Sequence, residues 1–131
     1  MREIKFRGKR LDNGEWVYGD YHRRAGGVHC IIAMEPDEQG KVVYIVHQVN
    51  PDTVGQFTGL LDKNGKAIYE GDVVRTLSGF VGYMRYNERF IRFEVAAPYE
   101  SYDNERNPDG VPYESWEVIG NIHDNPELLK P

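Results

Sequence analysis

The side chains best suited to metal ligation are His22, His29, Cys30, His47 and His123, and their spacing argues against a shared ion. A metal site needs several His, Cys or carboxylate donors that can converge. These are scattered, and the adjacent pair His29-Cys30 would point to opposite faces of a strand. Asp62-Lys63-Asn64-Gly65 opens like a calcium loop, but the glycine comes too early. Ala67 then takes the tight-turn position, and Val73 stands where the bidentate glutamate belongs. Among nucleophiles, Ser78, Ser101, Ser115 and Cys30 lack both a nucleophile elbow and a placed histidine. No glycine-rich loop followed by lysine is present to cradle phosphate. Asp20, Glu70 and Asp72 remain as a carboxylate group, yet Asp72 directly after Gly71 is more simply an acceptor for backbone amides at a turn. The expectation is a protein that is not an enzyme, with no metal and no cofactor.

Contact chemistry is better represented. From Arg2 to Arg10 the chain carries five basic residues and one acid, whereas Glu94 to Pro131 carries nine acids and two basic residues. Lys5, Arg7, Lys9 and Arg10 are candidate nucleic-acid contacts, because a basic edge can neutralise phosphates while Tyr18 or Tyr21 stacks on bases. The competing reading pairs this basic strand with the acidic C-terminal region, within or between subunits, and the net charge of −5 favours it. A second cluster, Tyr99, Tyr102 and Tyr113, lies among Glu100, Asp103, Glu105 and Asp109 without core periodicity. Tyrosine gives a contact surface large apolar area for few rotatable bonds, so these three are candidate protein contacts. The plain alternative is a solvated insertion.

The elements that must position these residues read as strands. Ile4 and Phe6 alternate with Glu3, Lys5 and Arg7, the period of a strand with one buried and one basic face. Asp12-Asn13-Gly14 turns the chain into Glu15 to Tyr21, giving a first hairpin. Val28 to Ala33 is a short strand, and Lys41 to His47 is apolar enough to be buried on both faces. Asp62-Lys63-Asn64-Gly65 and Glu70-Gly71-Asp72 are bends of a further hairpin that feeds a strand opening at Asp72. Turns at Ser78-Gly79 and Asn87-Glu88 then divide an antiparallel meander. Ala96 to Pro112, at roughly 17 residues, is longer than ordinary connections. Order resumes at Tyr113, and a strand from Ser115 to Ile122 follows. Asn125 and Pro126 suit the start of a short terminal helix. Trp16, Phe57, Ile68, Val74 and Trp116 are the expected core.

At 131 residues the chain fits one compact unit, 1–131, with sub-lobes at 1–60 and 61–131. The fold class is mostly β: an N-terminal β-rich lobe plus a C-terminal SH3-like small barrel and a short C-terminal helix. No run approaches a membrane span, and Met1-Arg2-Glu3-Ile4-Lys5 lacks the apolar core of a signal peptide, so the expected location is the cytoplasm, with no membrane partner. A single cysteine agrees with a reducing compartment.

Three blocks give the chain a resemblance to a known family: Arg2 to Lys9 with Gly14 to Gly19, the central Thr53 to Val74, and Val118 to Leu129. With Thr-Val-Gly-Gln-Phe-Thr-Gly-Leu followed by Tyr-Glu-Gly-Asp-Val-Val, the chain resembles the YopX family of phage and prophage proteins. The resemblance implies a bacterial or phage origin and a β-rich fold. It implies no agreed activity, so no catalytic residue is carried over. The leading expectation is a non-catalytic module acting through protein–protein interaction or self-assembly, a homo-oligomer with a phage or host protein as a further partner. The alternative is a nucleic-acid-binding accessory protein using the basic N-terminal strand.

Overall fold

The computed structural model describes residues 3–77, 79–96 and 115–130. Its strands are β1 (Phe6–Lys9), β2 (Trp16–Arg24), β3 (Val28–Pro36), β4 (Val42–Gln48), β5 (Gly55–Leu61), β6 (Ala67–Tyr69), β7 (Asp72–Arg75), β8 (Val81–Asn87), β9 (Arg92–Ala96) and β10 (Glu117–Asn121). They form two antiparallel sheets, ordered β4-β3-β2-β1-β5-β6 and β10-β7-β8-β9, so the fold is mostly β. The chain divides into two units, Met1–Phe57 and Thr58–Pro131, and passes from one to the other along β5. No helix among the described residues is long and apolar enough to cross a membrane.

The first unit is built from hairpins set by turn chemistry. Gly14 takes a φ of 71° while the Asn13 side chain accepts the Glu15 N–H, closing the β1–β2 turn. Asp37 does the same between β3 and β4, accepting the N–H groups of Gln39 and Lys41. Alternation then puts Val17, Ile31 and Val49 into one core, with Phe6, Tyr21 and Val54 packed against it. β2 lies so close to β3 that a Cβ on Gly19 would sit 2.0 Å from the Ile32 carbonyl oxygen, which explains the glycine there. Asn50 caps a short 3-10 turn at Pro51–Thr53, and Thr53 Oγ1 accepts the Lys9 N–H at 2.8 Å. That bond fixes the end of β1.

The second unit is organised by two acidic turn residues. Asp62 Oδ1 accepts the N–H groups of Asn64 and Lys66, shaping the β5–β6 turn, while Oδ2 accepts the Val118 N–H at 2.9 Å and so anchors β10. Burial pushes the Asp62 carboxyl upward, but these three backbone amides outweigh it and hold the group below the usual carboxylate range. Gly71, with φ of 86°, bends the chain between β6 and β7, and the buried Asp72 carboxylate accepts the Tyr69 N–H there. The meander β7-β8-β9 closes over Ile68, Val74, Met84, Val95 and Trp116, with Leu60, Phe93 and Val118 at the margin.

Three expectations are corrected. β4 is covered on one face only, since Val42, Tyr44 and Val46 on the other are exposed; it is also the outermost strand of its sheet. Trp16 is half-buried, because its ring lies on the cationic face of β1–β2 instead of in the core. The terminal helix is a 3-10 turn, Pro126–Leu129. Asn125 makes no side-chain cap bond to it; its Oδ1 turns back to the Asn121 N–H, at 3.3 Å.

Candidate functional site

The alternation of β1 places Lys5, Arg7 and Lys9 on one face, opposite Phe6 and Gly8. Arg7 faces Tyr18 and Lys9 faces Trp16 across the β1–β2 ladder. The result is a cationic-aromatic layer: the Arg7 guanidinium lies 4.6 Å from the Trp16 ring centroid, the Lys9 ammonium 5.6 Å from it, and the Lys5 ammonium 5.3 Å from that of Phe57. Arg7 is only 6% exposed. Arg10 leaves the row at the turn and binds Asp12 through Nη2–Oδ2 at 2.6 Å, a hydrogen bond that raises the Arg10 pKa and lowers that of Asp12. The structure therefore gathers Lys5, Arg7 and Lys9 onto one face but sets Arg10 apart. Tyr18 shares that face and is exposed, whereas Tyr21 lies on the other, against Phe6 and hydrogen-bonded to His29. Tyr99, Tyr102 and Tyr113 fall outside the described residues.

Two described acids of the C-terminal region, Glu94 and Glu117, are held in local ion pairs. Glu94, buried, holds Arg85 at 2.8 Å and Arg92 at 3.5 Å. Glu117 binds Arg75 and Lys63, and these two cations keep its carboxyl below the usual range. Asp72 serves its own turn, as its place after Gly71 suggests. Among the described residues no three His, Cys, Asp or Glu side chains stand close enough to hold a metal ion. His47 instead meets Glu35 at 2.8 Å, beneath the sheet.

A different surface stands out, one with no charged or catalytic residue type to mark it in the sequence. On the outer face of β3 and β4, Met34 is 65% exposed, Val42 58%, Tyr44 71% and Val46 42%. The ladder makes them neighbours: Tyr44 stands opposite Met34, Val46 opposite Ile32, and Val42 opposite Pro36. Exposed apolar groups scattered singly need no explanation, but a contiguous set on one sheet face does.

The backbone of β4 adds a second property. The Val49 N–H donates to the His29 carbonyl at 2.9 Å, continuing the register in which Cys30 faces Gln48 and Ile31 faces His47. Hydrogen-bonded pairs alternate along an antiparallel ladder, so Val43, Ile45 and His47 turn their amides toward β3. Val42, Tyr44, Val46 and Gln48 turn theirs outward. The Leu11 N–H, which donates to the Gln48 carbonyl at 3.0 Å, meets one of these outward groups and ends the open stretch. A groove of about 400 Å³ runs here, lined by Arg10, Leu11 and Asp12 on one side and residues 45–48 on the other. Val42, Tyr44 and Val46 thus carry both the bare side chains and the outward backbone groups. No alternation foretells it, because every residue from Val42 to Val46 is β-branched or aromatic.

The family model described as YopX protein matches residues 5–130. The structure is similar to the crystal structure of protein EF1440 from Enterococcus faecalis, with a TM-score of 0.56 at 21% identity, covering 99% of this chain and 100% of that one. At that identity the likeness speaks for the fold alone. No curated protein matches the chain.

Proposed function

We propose that the chain, which belongs to the YopX family, is a non-catalytic binding module that works by protein–protein contact in a phage or prophage setting, in the bacterial cytoplasm. The observation that carries this reading is the outer face of β3 and β4, where Met34, Val42, Tyr44 and Val46 form an exposed apolar set on a strand whose edge is open. Such a surface has large area to remove from water and backbone groups to pair, and both favour a protein partner over a polyanion. The buried carboxylates support it from the other side, since Asp62 and Asp72 bond backbone amides. The second unit's meander, closed by β10 on β7, is in this reading an SH3-like barrel.

A photoreactive residue at Met34, introduced into the protein in its bacterial host, tests the reading. Adducts to protein are expected. Labelling of nucleic acid would favour the alternative built on Lys5, Arg7 and Lys9, and absence of any macromolecular adduct would overturn the proposal.

A further inference from the structure

We infer that β4 pairs edge to edge with β4 of a second copy of the chain, antiparallel, about a two-fold axis at Tyr44; this rests on reading the β3–β4 face as a protein-binding surface. The chemistry of the edge selects a strand as occupant. Natural edge strands are blunted by proline, inward charges, bulges or a covering loop. Between Val42 and Val46 none of these is found among the described residues: the sequence Val-Val-Tyr-Ile-Val is uncharged and its pairing to β3 is regular.

Self-pairing is selected by register. The open stretch is bounded at its C-terminal end by Leu11, which occupies the edge beside Gln48, and at its N-terminal end by the turn from Asp37 to Gly40. Both boundaries are respected by one antiparallel register. It sets Tyr44 against Tyr44 of the second copy and Val42 against Val46, and each such pair exchanges both of its hydrogen bonds. Every outward amide of Val42, Tyr44 and Val46 is then used, and the Gln48 carbonyl stays with Leu11. A shift by two residues either competes with Leu11 or runs into the turn.

The side chains agree with that register. Val42, Tyr44 and Val46 share one face, so the junction carries a Tyr–Tyr pair flanked by two Val–Val pairs, continued on each side by Met34 and Ile32. The same register carries the tip of the second copy's β3–β4 hairpin, with exposed Glu38 and Lys41, toward the turn that bears Arg10 and Asp12. Opposite charges are available in both directions there. An interface that is the same patch on both subunits is isologous, and it closes at two copies.

The test is sedimentation velocity on the purified chain from low to high micromolar concentration, with the hydrodynamic mass of a dimer expected at the upper end. Tyr44→Lys and Tyr44→Glu, each alone, place like charges on the axis and should be monomeric; an equal mixture of the two should recover the dimer. Tyr44→Pro removes an N–H that faces outward, so it should abolish the dimer while the thermal transition of the chain is retained. A wild-type chain monomeric throughout, or a dimer that survives Tyr44→Lys and Tyr44→Pro, would overturn the inference. Monomeric wild type combined with Met34 adducts to some other protein would remove the second copy and leave the binding reading standing.

Discussion

β1 and β4 belong to the same unit and invert the usual relation between side chain and solvent. In β1, charged Arg7 is covered and its neighbours Lys5 and Lys9 lie over aromatic rings. In β4, apolar Val42, Tyr44 and Val46 are bare. The difference follows from place in the sheet. β1 has β2 and β5 on its two sides, so Trp16 and Phe57 reach over its cations from both. β4 has β3 on one side and, among the described residues, no strand paired along Val42 to Val46 on the other. A charge on a central strand can be sheltered through its hydrocarbon stem, and an apolar residue on an edge strand waits for a partner.

The largest expected effect sharpens that contrast. Phe57→Ala should cost about 3–5 kcal/mol in urea unfolding, because a buried ring is lost, while Tyr44→Ala on the monomeric chain should change stability by about 0.5 kcal/mol or less. Equal losses would break the comparison. Next comes Gly19→Ala, which must push the strand next to β1 away from β3 because its Cβ would meet the Ile32 carbonyl. A loss of about 1–3 kcal/mol is expected, and a fully stable variant would deny the close approach.

In the second unit the contrast is with a charge held by backbone. Asp62→Ala should cost about 2 kcal/mol near neutral pH, since three amides lose a charged acceptor. The folded-state pKa of Asp62 is depressed, so its contribution is fully present above the unfolded carboxylate value of about 3.9 and fades as pH falls through the lower folded value. The difference between wild type and variant should therefore shrink in acid; a difference that grows there would reverse the assignment. The smallest effects return to β1. Arg7→Leu should cost about 1 kcal/mol through loss of the contact with Trp16, whereas Arg10→Ala should leave the melting temperature unchanged, its pair with Asp12 being exposed.

What could be read from the sequence was mostly local. The turns at Asn13-Gly14, Asp62 to Gly65 and Gly71 need particular residues, and they are where those residues stand. The meander after Asp72 followed from its turn spacing. Cover over a sheet face is not local: nothing in Lys41 to His47 states that one side of this strand is left bare, so an apolar run suited to burial on both faces is covered on one. The same limit misplaced Trp16, whose neighbours Arg7 and Lys9 come from another strand. The alternation that gives Lys5 and Arg7 a common face is local, but how deeply Arg7 sits depends on Trp16, and the break at Arg10 depends on Asp12. At the chain's end, Asn125 had a local competitor for its side chain, the Asn121 N–H, and the helix shrank to one turn.

Amide hydrogen exchange resolved along β4 tests the open edge most directly. The account predicts alternation in dilute protein: Val43, Ile45 and His47 protected by β3, and Val42, Tyr44 and Val46 exchanging fast. At high concentration the three outward amides should gain protection while Val43, Ile45 and His47 stay as they were. Uniform protection along β4 in dilute protein, or outward amides that exchange fast at every concentration, would contradict it.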